Sequence, residues 1–175
     1  FPNAIDSNIF YKRDKYEMRQ KFNYNADDFI VVFVGHYIDR KGPRRLAKAL
    51  EGIKGVKSIF IGDGPDIPTG DGILHTGRVP HAQVPEILNA ADVFVLPTLN
   101  EGCCNAIIEA MACGLPIISS NRPFNDDILW EDNSIRVDPM NIDEIRNAII
   151  WMRDNPQLRE QFSQASLRYA HDLRI

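Results

Sequence analysis

The sequence predicts an α/β domain built on a doubly wound, mainly parallel sheet, and three observations carry that prediction. Apolar runs of strand length alternate with longer segments of helical period along the chain. Several of the runs are continuously apolar rather than alternating, the pattern of strands buried on both faces. Gly, Pro and Asn punctuate most of the junctions between them. With 175 residues, 44% of them hydrophobic, the chain is long enough for one domain with a real core and short for two.

The elements follow in order. Phe1-Pro2-Asn3-Ala4-Ile5-Asp6 is turn-rich, and Tyr11 to Phe22 carries alternating charges on an expected helix. Residues 1–28 therefore read as an interdomain linker with a lead-in helix, and residues 29–175 as the domain proper. Phe29 to Val34 is a doubly buried strand ending at Gly35. Pro43 stands where a first helical turn begins, with Leu46, Ala49 and Leu50 behind it at helical spacing. Val56 to Ile61 is a second strand, closed by Gly62-Asp63-Gly64-Pro65, and Ile73 to His75 a short third. A helix over Val84 to Ala90 leads into the apolar strand Val93 to Leu96, ended by Pro97. Asn105 to Cys113 is helical, Gly114 caps it, and Pro116 to Ser119 begins the next strand. Ser134 to Val137 is the last strand, and two helices, Ile142 to Asp154 and Gln157 to about Asp172, flank the break at Asn155-Pro156. Ligands in such folds lie beyond the carboxyl ends of the strands. The loops after Val34, Ile61, His75 and Leu96, and the turn after Ser119, are thus the ones to read.

Composition narrows the function. A net charge of −4 with interspersed signs argues against a nucleic-acid partner. No apolar run approaches the roughly 18 residues of a membrane span. Peripheral contact with a membrane surface stays open. The first residue is Phe1 and no signal segment follows, so the chain is expected to begin inside a longer protein. Cys103, Cys104 and Cys113 match no common zinc spacing, and reduced thiols in a cytoplasmic protein are the simpler reading.

Two glycine-bearing loops invite a nucleotide. Gly62-Asp63-Gly64 lacks the third glycine of the dinucleotide fingerprint, since Ile67 stands there, and Pro65 and Pro68 oppose a helix start. A turn is the better reading. The stretch Asn100 to Ala110 differs, because it follows a buried strand and opens a helix. Backbone N–H groups near Gly102 to Asn105 then form an anion site suited to phosphates. Glu109 falls roughly 6–8 Å along the helix axis from that terminus, about the offset between a nucleotide's diphosphate and its ribose hydroxyls. Glu101 stays in the loop, where a sugar could sit. The bland alternative makes Glu101 a helix-terminus charge and Glu109 a solvated face; the strand-end position and the apolar Ala110-Met111-Ala112 argue against it.

These motifs together resemble the C-terminal, donor-binding half of the GT-B-fold retaining glycosyltransferases of family 4, the group 1, hexose-transferring type. Phe1 to Asp6 is similar to the family's linker, and Val34-Gly35-His36-Tyr37-Ile38-Asp39-Arg40-Lys41-Gly42 to its first glycine loop. Ile61 to Pro65, His75 to Val79 and Ala90 to Val93 fit its further motifs, and Glu101 to Glu109 with Ala110 to Pro116 fits its paired-glutamate signature. The resemblance covers almost the whole chain and implies a Rossmann-like domain that binds a UDP- or GDP-type nucleotide sugar. It implies that Lys41 neutralises the diphosphate, Glu109 holds the ribose hydroxyls and Glu101 contacts the donor sugar. Gly102, Cys103, Cys104 and Asn105 would cradle phosphate and sugar, and Arg78 and Val79 would line the base pocket. It further implies transfer with retention, no metal or other cofactor, and a sugar or lipid-linked acceptor held by an N-terminal domain. The family's usual work suggests polysaccharide biosynthesis, in the cytoplasm or at the inner face of the membrane.

Two positions depart from the pattern. His36 stands where an arginine is frequent, and either donates to phosphate or simply packs. Cys103 and Cys104 replace a frequent Phe-Gly pair, and a side chain at Cys104 bears on which donor fits. Other readings are a non-catalytic nucleotide-sugar sensor, or another GT-B enzyme such as an epimerase or phosphorylase. A chain binding donor without turnover is expected if the acceptor half is elsewhere.

Overall fold

The computed structural model describes residues 5–102 and 105–173. Six strands form one parallel sheet: β1 Phe29–Val34, β2 Val56–Ile61, β3 Ile73–Gly77, β4 Val93–Leu96, β5 Ile117–Ser120 and β6 Ser134–Val137. Their spatial order is β3-β2-β1-β4-β5-β6, the doubly wound arrangement expected from the alternating pattern. The continuously apolar runs are the central strands. Ile30 to Phe33, Val93 to Leu96 and Ile117-Ile118 have no exposed surface, because helices cover both faces.

The helices are α1 Lys15–Lys21, α2 Pro43–Leu50, α3 Val84–Ala90, α4 Asn105–Ala112, α5 Ile142–Asp154 and α6 Pro156–Asp172. On one side α2 packs on α5; contacts of α1 with α3, α3 with α4 and α4 with α6 mark the other layer. Local chemistry sets their ends. Pro43 opens α2 behind Gly42, whose φ of 79° makes the sharp turn into it. After α4, Leu115 N–H bonds Ala110 O at 3.1 Å and Gly114 N–H bonds Met111 O at 2.9 Å. With Gly114 at φ 81°, this is a Schellman cap. Helix α6 starts at Pro156 itself, whose missing N–H costs nothing at the first position.

The lead-in helix is shorter than the charge pattern predicts. Asp14 caps α1 by accepting from Glu17 N–H at 2.9 Å, so residues 11–13 lie outside the helix. Asn89 holds that preceding segment instead, accepting from Arg13 N–H at 2.6 Å and donating to Tyr11 O at 2.9 Å. Helix α1 is fixed to the sheet by Arg19, only 2% exposed. Its guanidinium donates to Ala90 O, Ala26 O and Asp28 O, each at 2.8 Å, and to Asp92 Oδ2 at 2.7 Å. Asp92 also accepts from Lys15 Nζ at 2.9 Å and from Ile30 N–H at 2.8 Å, so this buried charge is fully partnered.

Candidate functional site

The strand order changes direction between β1 and β4, and the loops leaving these two neighbours part to form a crevice. A cleft of about 700 Å³ occupies it, bordered by His36, Arg40 and Lys41 from the first loop and by Glu101, Gly102 and Asn105 from the second. Asp63, Arg78 and His81 also line it.

Glycine geometry brings the two loops together. A side chain at Gly42 would meet Pro97 O at 2.7 Å, so only glycine lets the first loop lie against the exit of β4. Leu99 N–H then donates to Arg40 O at 2.8 Å, and Arg40 Nη1 to Asn100 O at 3.2 Å. Lys41 Nζ reaches Glu101 Oε2 at 2.5 Å. The pair is well shielded, with side chains 15% and 7% exposed. Arg40 differs: it stays exposed, and among the described residues no carboxylate pairs with it.

The region beyond β2 and β3 is held by Tyr37, a buried residue in the first loop. Its hydroxyl donates to Phe60 O at 2.6 Å and accepts from Gly77 N–H at 2.8 Å, and burial pushes its pKa up. Gly62 passes so close to the first loop that a Cβ would sit 1.9 Å from Gly35 O. The Gly62-Asp63-Gly64 turn therefore serves loop-to-loop packing. Asp63 carries Arg78 Nε at 2.8 Å on one oxygen, with His36 Nδ1 3.8 Å from the other.

Helix α4 divides by periodicity. Ile107, Ile108, Ala110 and Met111 face the core, whereas Asn105, Ala106 and Glu109 form a partly exposed stripe whose first two members line the cleft. Glu109 lies four residues into that stripe, about 6 Å along the axis from Asn105. Burial pushes its carboxyl up to about 7, and no described residue bonds or pairs with it. Asn105 Oδ1 is likewise shielded, with no hydrogen-bond partner among the described residues.

The structure thus gathers His36, Lys41, Arg78, Glu101, Gly102 and Asn105 at one cleft, with Glu109 on the adjoining helical stripe. Val79 packs against the core and is not among the residues lining the cleft. Cys103 and Cys104 lie outside the described residues. Arg40, Asp63 and His81 also line the cleft, though sequence reading assigned them no role. Arg40 could have been found from its place beside Lys41; nothing in the sequence marks His81. Cations and a helix N-terminus beside two carboxylates suit a ligand that is anionic at one part and hydroxyl-rich at others.

Residues 14–168 match the family described as Glycosyl transferases group 1, and the chain belongs to that family. It is similar to TuaC, a glycosyltransferase assigned to teichuronic acid biosynthesis in Bacillus subtilis, at 33% identity over 138 residues, 77% of this chain and 36% of that protein. It is also similar to the UDP-Gal:α-D-GlcNAc-diphosphoundecaprenol α-1,3-galactosyltransferase of Escherichia coli, 29% identical over 177 residues, covering 90% of this chain and 45% of that one. The chain spans less than half the length of these two relatives. Among solved structures, sucrose-phosphate synthase from Thermosynechococcus elongatus matches with a TM-score of 0.88 and 25% identity, over 98% of this chain and 47% of that chain. HepE of Anabaena in complex with UDP and glucose matches with a TM-score of 0.85 and 20% identity, over 98% of this chain and 51% of that chain. The fold is the Rossmann-like α/β type of GT-B glycosyltransferase structures. Among the described residues, no helix is long and apolar enough to cross a membrane.

Proposed function

We propose that this chain is the donor-binding part of a retaining glycosyltransferase, and that the cleft between β1 and β4 holds a nucleotide-diphosphate sugar. The observation that carries the reading is the meeting of Lys41 and Glu101, from loops on either side of the switch point, at 2.5 Å inside a cleft beside a helix N-terminus. The diphosphate lies at the N-terminus of α4, where Lys41 turns from Glu101 to share its charge with phosphate and Arg40 adds a second cation. As the bond from the sugar's anomeric carbon to the diphosphate breaks, negative charge grows on the leaving oxygen. Fixed cations and oriented N–H groups stabilise that charge more than they stabilise the intact donor, which lowers the barrier.

Glu101 accepts from a donor-sugar hydroxyl, and Glu109 from the ribose. Arg78, with His36 beside it, borders the base. This scheme places the needed positive charge on protein groups and calls for no metal. The acceptor comes from the part of the relatives that this chain does not span, so the chain alone binds donor without turnover. A sugar or lipid-linked sugar is the acceptor class that the name of the Escherichia coli relative supports. Such an acceptor would bring the full protein to the inner face of a membrane.

The test is calorimetric titration of the chain with UDP, GDP, ADP and their hexose conjugates, beside Lys41→Ala. Saturable binding of one nucleotide, weakened about tenfold or more in the variant, is the expected result. No binding by any of them would overturn the assignment. Transfer by the chain alone, at the rate reached when it is joined to its complementary half, would refute the division of labour.

A further inference from the structure

We propose that Thr98 is a positioning residue for Glu101, fixing one carboxylate oxygen so that the other is presented to the donor sugar. The inference rests on the donor-site reading above and goes beyond it, because Thr98 lines no part of the cleft. Thr98 is fully buried at the exit of β4. Its Oγ1–H is shared between two acceptors on the turn that leads into the cleft, Asn100 O at 3.0 Å and Glu101 Oε2 at 3.2 Å. Glu101 Oε2 is also the oxygen that Lys41 Nζ contacts. Two protein groups therefore converge on Oε2. Oε1 has no hydrogen-bond partner among the described residues.

The support beneath Thr98 shows why its hydroxyl can act as a fixed point. Strand β5 ends in two buried serines, and buried hydroxyls are retained only where they are hydrogen-bonded. Both are spent on the exit of β4: Ser119 Oγ donates to Leu96 O at 2.8 Å, and Ser120 Oγ donates to Thr98 O. Asn125, also fully buried, locks the serines from behind, with Nδ2 donating to Ser120 O at 2.9 Å and to Ser119 Oγ at 3.2 Å. The ladder Asn125, Ser120, Thr98, Glu101 runs from the core to the cleft and transmits the rigidity of the sheet to one carboxylate. Glu101 is thereby an acceptor of set direction, suited to one hydroxyl of a hexose.

The test compares Thr98→Val, which keeps the shape and removes the hydroxyl, with Thr98→Ser, which keeps the hydroxyl. The probes are UDP with UDP-glucose, or GDP with GDP-mannose, as the wild-type titration selects. Loss of the hydroxyl is expected to reduce the preference for the conjugate over the bare nucleotide by about tenfold, the size of one hydrogen bond to a charged group. Affinity for the bare nucleotide should stay within about twofold, and Thr98→Ser should restore the preference. A purely structural role would weaken nucleotide and conjugate alike while lowering the melting temperature, and that outcome overturns the proposal. So does an unchanged preference in Thr98→Val. Wild-type chain that binds no nucleotide would overturn the donor-site reading itself, and this inference with it.

Discussion

Glu109 should make donor binding pH-dependent, in a direction its surroundings dictate. Its carboxyl is held at about 7 because burial disfavours the charged form and no described residue compensates. If the ribose hydroxyls require an ionised acceptor, affinity follows the ionised fraction, about one-eleventh at pH 6 and ten-elevenths at pH 8. The expected rise is roughly tenfold across that range, or about 1.4 kcal/mol. A nucleotide-sugar conjugate is the right probe, since the terminal phosphate of a free diphosphate itself titrates there. Calorimetry at pH 6, 7 and 8 on wild type and Glu109→Gln isolates the contribution of Glu109, because the amide keeps the shape and cannot ionise. A wild-type profile that is flat, or a rise that persists undiminished in the variant, would refute the reasoning. Stability carries the same signature. The folded pKa is raised above the ordinary 4.5, so the neutral carboxyl burdens the fold little at pH 4. The cost grows as pH rises from 4.5 to about 7, and is complete above that. Glu109→Gln should therefore melt higher than wild type at pH 8, with the gap closing toward pH 4.

Other perturbations test the frame and the cleft. Arg19→Met removes the guanidinium shared by four carbonyls and leaves Asp92 with fewer partners, so a loss of roughly 3–5 kcal/mol in urea unfolding is expected. Equal midpoints for variant and wild type would deny Arg19 its role. Gly62→Ala places a Cβ 1.9 Å from Gly35 O, and should cost roughly 2–3 kcal/mol while weakening nucleotide binding through the displaced first loop. Arg40→Gln should weaken a nucleoside diphosphate about tenfold and leave the nucleoside's own weak affinity unchanged. A loss equal for both ligands would place Arg40 outside the phosphate site.

The sheet was readable because a strand buried on both faces must be apolar throughout, as at Phe29 to Val34 and Val93 to Leu96. Helix ends were readable where backbone chemistry forces the residue, as at Pro43 and Gly114. The start of α1 was not, because the alternating charges run back to Tyr11, whereas Asp14 caps the helix and the distant Asn89 holds the segment before it. At the site, Lys41, Glu101 and Glu109 stand out locally, by loop position and helical offset. Their mutual geometry does not, since Lys41 and Glu101 are 60 residues apart in sequence. Thr98 and Tyr37 escaped notice for the opposite reason: each sits in a loop in sequence but in the core in space, where its hydroxyl has partners no local pattern encodes.

The seam between β1 and β4 has a consequence for how the domain comes apart. These strands meet at the middle of the sheet, and each brings its own half of the chain with it: β1 with β2 and β3, β4 with β5 and β6. A molecule gripped by Lys41 on one half and Glu101 on the other is a staple across that central pairing. It can be released by global unfolding, but not by fraying of either edge. Saturating ligand should accordingly slow amide hydrogen exchange in the central strands, the last part to open, and leave exchange at β3 and β6 nearly as it was.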